Sequence, residues 1–583
     1  MNVSDAIVEI LVASGIEHIF GLPGDTGMDF YDALYRNEGR VQHILTRDER
    51  SASFMADAYA RVSGRVGVCE GPSGGGATYI VPGVAEAHGS YLPLIVLTSD
   101  TPIREEGRGV LTELDQRALF QPITKWAARM TTADTAPDVV RRALRLATTG
   151  RPGAVSISMP ADVLKAPVAD ANVYGIPQFG AAPASRPRPD ASEVERAAEV
   201  IRAARRPVIV AGGGVLISQA WDALTTLAEA GAIPVGTSIN GKGSIAETNR
   251  LSLGVVGGNG ARPYANAVVA EADVLILVGT RTDSTTTLNW TLPRRDPALK
   301  VVHIDVDPWQ IGNNYQTVAP VIGDARAALE DLTSALGTIP VDGDRVVWLD
   351  GIDAARRDYF ERVAEEARSD AQPIKPQRVI ATLKRLLPEE TVLVADPGTP
   401  TPYIGAQYVL PKPGRWTVIP RAHGGLGYAL PAVVGAHYGR PEARTISLMG
   451  DGSFGMSVGE LETISRLNLP LTLIHFNNGC FGWIKTLQAL HNRSRFLSVD
   501  FSPGDMSRVA SAYGIRSWRV EDAKQLATAL DEAFAHQGPA FLDVSIEPLV
   551  SDLPPVYSWL KTAGKDPMKH HCATAQSERG DSR

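Results

Sequence analysis

Gly450-Asp451-Gly452-Ser453 follows a short β-rich run, Thr445 to Met449, and Asn477-Asn478 follows a second apolar run, Leu469 to Phe476. Between them, Ser457 to Asn468 carries apolar residues at helical spacing, so the segment reads as one complete strand–helix–strand unit. In a right-handed parallel crossover both strand ends lie at the same edge of the sheet, which brings Asp451 and Asn478 together. A carboxylate plus a carboxamide oxygen suits Mg²⁺, a hard cation that takes oxygen ligands and completes its shell with phosphate and water. Gly452 and Ser453 let backbone N–H groups approach a diphosphate at the helix start. The two loops together read as a metal-diphosphate clamp.

This clamp resembles the thiamine diphosphate (ThDP) signature of the 2-oxo acid decarboxylase and acetolactate synthase superfamily, and the resemblance extends over nearly the whole chain. His43-Ile-Leu-Thr-Arg-Asp-Glu-Arg50, continuing into Ala56-Asp-Ala-Tyr-Ala-Arg61, looks like the segment that carries the family's catalytic glutamate. Arg421-Ala-His-Gly-Gly-Leu-Gly-Tyr-Ala-Leu-Pro431 looks like the segment beneath the cofactor. The resemblance implies that Glu49 binds the cofactor's pyrimidine nitrogen, that Leu426 supports its bend, and that Gly424 offers a carbonyl to its exocyclic amine. Leucine at that position is also found in benzoylformate decarboxylase, whereas acetolactate synthases usually have methionine. It further implies Mg²⁺ on Asp451, Asn478 and the backbone carbonyl of Cys480, with Gly398, Thr399, Gly452, Ser453 and Asn478 as cofactor contacts. Ser73-Gly-Gly-Gly-Ala-Thr78 resembles the glycine-rich active-site loop, with Gly75 replacing the usual proline. In this family different subunits hold the two halves of the cofactor, which implies a homodimer at least, with a tetramer as the larger alternative.

The reaction divides on a few positions. Asp25, in Gly21-Leu-Pro-Gly-Asp25, stands where pyruvate-decarboxylase-like enzymes carry a catalytic aspartate, although it could equally cap the helix Met28 to Tyr35. Those decarboxylases also use an adjacent histidine pair that is missing here outside the tail, and Ile484 occupies the position of their further glutamate. Trp483 and Ile484 read instead as apolar residues of the substrate pocket. Leu111 to Trp126 aligns with the synthase substrate-side segment, but Thr112 replaces its glutamine and Gln121 its arginine. The expectation is a ThDP- and Mg²⁺-dependent enzyme that decarboxylates a 2-oxo acid and passes the acyl carbanion equivalent to an acceptor. The alternatives are a decarboxylase that releases an aldehyde, an FAD-dependent oxidase, and a non-catalytic relative.

Composition sets the frame. A chain of 583 residues exceeds the span one core serves, so three domains of roughly 150 to 190 residues are expected. Hydrophobic content of 44% and a net charge of −8 describe a globular protein without a basic face for nucleic acid. Cys69, Cys480 and Cys572 are too few and scattered for a disulfide framework, which fits a cytoplasmic protein. No apolar run approaches the ~20 residues of a membrane span. Ser4 to Gly15 reads as a folded helix with Ser4 as N-cap and Gly15 just beyond its end, not as a signal peptide.

The expected class is α/β, with three domains built on parallel sheets. Residues 1–165 form a pyrimidine-binding domain, 190–340 a central domain and 374–548 a diphosphate-binding domain. A Pro- and Ala-rich linker covers Lys165 to Pro189, and charged helical sequence covers 341–373. Residues 549–583 supply a lid, Asp552 to Leu560, and a disordered tail in which His570-His571-Cys572 is incidental. Ala211-Gly-Gly-Gly214, Gly279-Thr-Arg281 and His303-Ile-Asp-Val-Asp-Pro308 resemble the family's nucleotide-type framework, which several members keep empty, so FAD is possible but not favoured.

Overall fold

The computed structural model describes residues 1–337, 342–565 and Met568; the His570-His571-Cys572 run lies outside the described residues. Three six-stranded sheets organise them. The first contains β1 (His18–Gly21), β2 (Gln42–Leu45), β3 (Gly67–Gly71), β4 (Leu94–Asp100), β5 (Trp126–Arg129) and β6 (Ala154–Pro160). The second contains β7 (Pro207–Ala211), β8 (Val235–Thr237), β9 (Ser252–Val255), β10 (Val274–Val278), β11 (Lys300–Asp305) and β12 (Thr317–Ile322). The third contains β13 (Thr391–Ala395), β14 (Thr417–Val418), β15 (Arg444–Gly450), β16 (Thr472–Asn477), β17 (Arg516–Val520) and β18 (Ala540–Ser545). The pairings within them are parallel. Helices cover both faces, so β4, β6 and β13 are buried at every residue, and β13 (TVLVA) and the first half of β4 (Leu94 to Leu97) are apolar runs without alternation.

The first sheet runs β2-β1-β3-β4-β6-β5 and the third β14-β13-β15-β16-β18-β17, the same order in the two frames. Each has a switch point where the chain turns from one strand outward and returns on its other side: β1/β3 in the first, β13/β15 in the third. Ligands of open α/β sheets bind at such crevices. The middle sheet has the order β12-β11-β10-β7-β8-β9, the Rossmann arrangement. Its glycine-rich turn is packed on its own chain: a Cβ at Gly212 would lie 2.3 Å from the Gly279 carbonyl oxygen, and one at Gly214 2.7 Å from Gly279 Cα. Those glycines are required by the fold with or without a nucleotide. The first and third domains share one core, in which Phe54 and Met55 of helix Glu49–Ser63 lie with Tyr428, Leu430 and Val434.

Local structure departs from the sequence reading in three places. The first helix, Val3–Ala13, is capped by Asn2, not Ser4: Asn2 Oδ1 accepts the Asp5 N–H at 2.8 Å, while Ser4 is buried and its hydroxyl donates to Leu164 O. The helix after the GDGS turn starts at Asp451 itself and is broken near Gly459 into Asp451–Ser457 and Glu460–Arg466. The 165–189 segment is pinned onto the first domain, with Val66 N donating to Gly180 O and Val168 N to Met1 O. Helix Gly343–Glu366 accounts for the charged stretch. Among the described residues no helix is long and apolar enough to cross a membrane.

Candidate active site

Parallel pairing of β15 with β16 puts Gly450 level with Phe476, so the turns that follow begin side by side. Asp451 Oδ2 accepts the Asn478 N–H at 2.9 Å. The Asn478 side-chain Oδ1 lies 3.0 Å from both Asp451 Oδ2 and the Cys480 carbonyl oxygen. Asn478 Oδ1 thus stands about 3 Å from each of the other two oxygens, the separation of adjacent ligands on an octahedron with metal–oxygen bonds of ~2.1 Å, the distance Mg²⁺ demands. With the amide turned, its nitrogen would donate to Asp451 Oδ2 and to the Cys480 carbonyl; a cation at this point would instead draw the amide oxygen inward. Burial raises the pKa of Asp451. Gly452 is demanded by the Phe481 ring, which a Cβ there would meet at 2.2 Å.

Behind this turn lies a buried network that the sequence did not reveal. His475 Nδ1 is 2.9 Å from Asp543 Oδ1, both side chains fully buried, and His475 Nε2 is 3.7 Å from Asp451 Oδ1. Asp543 also accepts from Asn477 Nδ2, the Met506 N–H and Arg519. Burial works against its charge, but the hydrogen bonds and charges of these partners outweigh it and hold Asp543 below the usual carboxylate range.

A cavity of about 310 Å³ opens at the β13/β15 switch point. Gly398, Thr399, Gly424, Leu426, Asp451, Gly452, Ser453, Cys480, Trp483 and Ile484 all line it, and Asn478 joins through Asp451. Asp396, at the end of β13, also lines it; its Oδ1 accepts the N–H groups of Tyr428 and Ala429 at 3.0 Å, and burial pushes its carboxyl up to about 7. The Gly424 turn is held from the first domain. Glu86, fully buried, accepts the N–H groups of Ala422, His423 and Gly424 at 3.2, 2.7 and 3.0 Å and pairs with Arg61 at 2.8 Å. Asp396 was legible in principle as an acid ending an apolar strand. Glu86 carries no such signal, because a lone glutamate on a helix usually faces solvent.

Glu49, Asp25 and Gly75 gather at the other switch point and do not line this cavity. Glu49 opens helix Glu49–Ser63, whose N-cap Asp48 accepts the Arg50 N–H. Its side chain lies over the β3 turn: a Cβ at Gly71 would be 3.2 Å from Glu49 Cγ, and one at Gly76 3.0 Å from Oε1. Burial, reinforced by the charges of Asp48 and Glu70, raises the Glu49 pKa. Glu70 itself is buried against Tyr31 and His43. Asp25 is exposed and its carboxylate accepts only the adjacent Thr26 N–H, at 2.9 Å. The following helix, Met28–Arg36, has Gly27 as its N-cap, so Asp25 does not cap it. Around Gly75 the space is open: a Cβ at that position would meet nothing within 4 Å.

With this geometry established, comparison with known proteins gives the class. The N-terminal TPP binding domain of thiamine pyrophosphate enzymes matches residues 1–119, their central domain 194–332 and their C-terminal TPP binding domain 396–544. The chain belongs to this family of thiamine diphosphate-dependent enzymes. Its full-length relatives include the probable acetolactate synthase large subunit of Methanocaldococcus jannaschii, 36% identical over 94% of this chain and 92% of that protein. The acetolactate synthase of Arthrospira platensis is 32% identical over 93% of both chains, and the isozyme 3 large subunit of Escherichia coli is 32% identical over 93% and 94%.

Proposed function

We propose that this chain is a cytoplasmic, Mg²⁺-dependent carboligase that decarboxylates one 2-oxo acid and joins the acyl carbanion equivalent to an acceptor. The observation that carries the reading is the meeting of Asp451, Asn478 and Cys480 oxygens beside Gly452 and Ser453, in a cavity to which Leu426, Trp483 and Ile484 contribute an apolar wall. When bound, ThDP supplies the nucleophilic carbon and the electron sink for decarboxylation. Asp451, Asn478 and the Cys480 carbonyl would hold the cation, Gly398, Thr399 and Gly424 would contact the cofactor, and Leu426 would support it from beneath. Glu49 holds a proton at the pyrimidine nitrogen, a task suited to a carboxyl whose burial favours the protonated form. The absence of residues 1–165 from the cavity lining supports a homodimer in which Glu49 reaches the cavity of the partner.

The aldehyde-releasing reading keeps one specific support: the Asp25 carboxylate is exposed and does not cap the following helix, which leaves it accessible to a bound substrate. A panel of 2-oxo acids with ThDP and Mg²⁺, scored by mass spectrometry, separates the two. Ligation products favour the carboligase; aldehyde alone, at every acceptor concentration, would reject it.

A further inference from the structure

Arg421 is the only lysine or arginine among the described residues lining the cofactor cavity. Its Nη1 donates to the Pro397 carbonyl at 3.2 Å, and its Nε is buried without a partner. The two acids whose charges reach it are Glu86 and Asp283. Both are engaged elsewhere: Glu86 with Arg61 and three backbone N–H groups, and Asp283 with the N–H groups of Thr285 and Thr286 at 2.9 Å. Arg61 and Arg262 have carboxylate partners, Asp57 and Glu86 at 2.8 Å and Glu247 at 3.3 Å, while Arg415, which like Arg421 meets only backbone carbonyls (Leu216 and Ile217, 3.1 Å), does not line this cavity. Burial lowers the pKa of Arg421, yet a guanidinium remains charged at any physiological pH. It is a planar five-donor fork with one protein bond, facing the cavity where the chemistry takes place.

An anion belongs there, and two sources have the right chemistry: the cofactor's diphosphate and a substrate carboxylate. The diphosphate is already met by the cation at Asp451 and by the Gly452–Ser453 turn. A carboxylate that must leave as CO₂ gains nothing from an arginine, because the pair stabilises the ground state more than the transition state in which that charge disappears. Ligation forms one C–C bond at the acceptor's keto carbon and places a proton on its oxygen, while the acceptor's own carboxylate is retained. We propose that Arg421 reads this retained carboxylate when the acceptor is a 2-oxo acid. This rests on the carboligase reading for the identity of the ligand.

The test uses the full-length holoenzyme with Arg421→Met and the gentler Arg421→Lys, both checked for folding. The ratio of ligation to a 2-oxo acid acceptor over ligation to a neutral aldehyde acceptor should fall by about tenfold to a hundredfold in Arg421→Met, the range set by losing a charge-assisted hydrogen bond, and by less in Arg421→Lys. An unchanged ratio overturns the proposal, as does a tenfold or greater loss of ThDP affinity in calorimetry, which assigns the guanidinium to the diphosphate. Calorimetric binding of oxamate, an unreactive analogue of a 2-oxo acid, keeps the two readings separate. Oxamate binding that depends on Arg421 in a protein that turns over no 2-oxo acid rejects the carboligase and retains the arginine; binding indifferent to the substitution rejects the arginine.

Discussion

Glu86 Oε2 accepts the Gly424 N–H at 3.0 Å, a bond across 338 residues of chain that ties a helix of the first domain to the turn beneath the cofactor cavity in the third. The same carboxylate pairs with Arg61, which also pairs with Asp57, so three buried charges and three backbone donors meet at one point. Burial alone would neutralise Glu86; the Arg61 charge and the three N–H groups instead hold it below the usual carboxylate range. A cofactor-binding turn rich in glycine has little stiffness of its own, and this clamp supplies it.

Glu86→Ala should therefore cost about 3 kcal/mol or more of stability, since it leaves donors and part of the Arg61 charge buried without a partner. It should also weaken ThDP binding, because Gly424 loses its anchor. Urea unfolding and ThDP titration measure the two effects, and wild-type values in both would show that the turn holds itself.

Asp451→Ala should raise the Mg²⁺ and ThDP requirements together, since the cation bridges protein and diphosphate and neither binds well alone. Glu49→Gln should behave differently, keeping ThDP affinity while losing ~10² or more in rate as a positioned acid–base group is removed. Calorimetry on both variants checks the contrast. Unchanged ThDP affinity in Asp451→Ala, or near-normal turnover in Glu49→Gln, would break the assignment concerned.

The Asp396 carboxyl, buried and raised to about 7 from 3.8, gives the ligand-free protein a pH signature. Between those values the folded state holds a proton that the unfolded chain releases, so the group's stabilisation is complete below pH 4 and is lost as pH rises through 7. The contribution to the slope is at most ~1.4 kcal/mol per pH unit. Asp396→Asn keeps an acceptor for Tyr428 and Ala429 but cannot ionise, so its denaturation midpoint should vary less between pH 5 and 8 than wild type. Parallel profiles would contradict the raised value.

Trp559 lies 4.3 Å, ring centroid to centroid, from Trp483 and is buried, while Gly260 N donates to Pro555 O and Tyr557 N to Gly258 O. The segment proposed as a lid is thus strapped between the middle domain and a wall of the cavity. Trp559→Ala should cost about 3 to 5 kcal/mol as a core truncation. It should also loosen Trp483 and let water in, shifting products toward aldehyde. An unchanged product ratio in the folded variant would leave the strap a purely structural role.

The three parallel sheets and the meeting of Asp451 with Asn478 were legible because strand patterning fixes which turns share a sheet edge, whereas Gly398, Thr399, Gly424, Leu426, Trp483 and Ile484 were named through the family resemblance and line the cavity. What stayed hidden depends on partners far along the chain. Ser4 looked like a cap, yet Asn2 and Asp5 satisfy the helix start reciprocally and Ser4 is drawn to Leu164 O. Glu86 and Asp543 carry buried charge that is intelligible only once Arg61, the Gly424 turn, His475 and Arg519 surround them. Arg421 was visible within its motif, but its want of a carboxylate partner is a property of three dimensions.

The cavity at β13/β15 takes none of its lining from residues 1–165, while Glu49 sits at β1/β3 of the same chain. On the proposed two-chain site, two inactive proteins can rescue one another. In a mixed dimer of a Glu49→Gln chain with an Asp451→Ala chain, one cavity combines an intact glutamate with an intact clamp and the other combines both lesions. Random exchange of subunits would make half the dimers mixed, each with one working site of two, so about a quarter of wild-type activity should return from two dead preparations. Catalytic competence would then belong to the pairing of chains, and no single polypeptide would contain a complete active site.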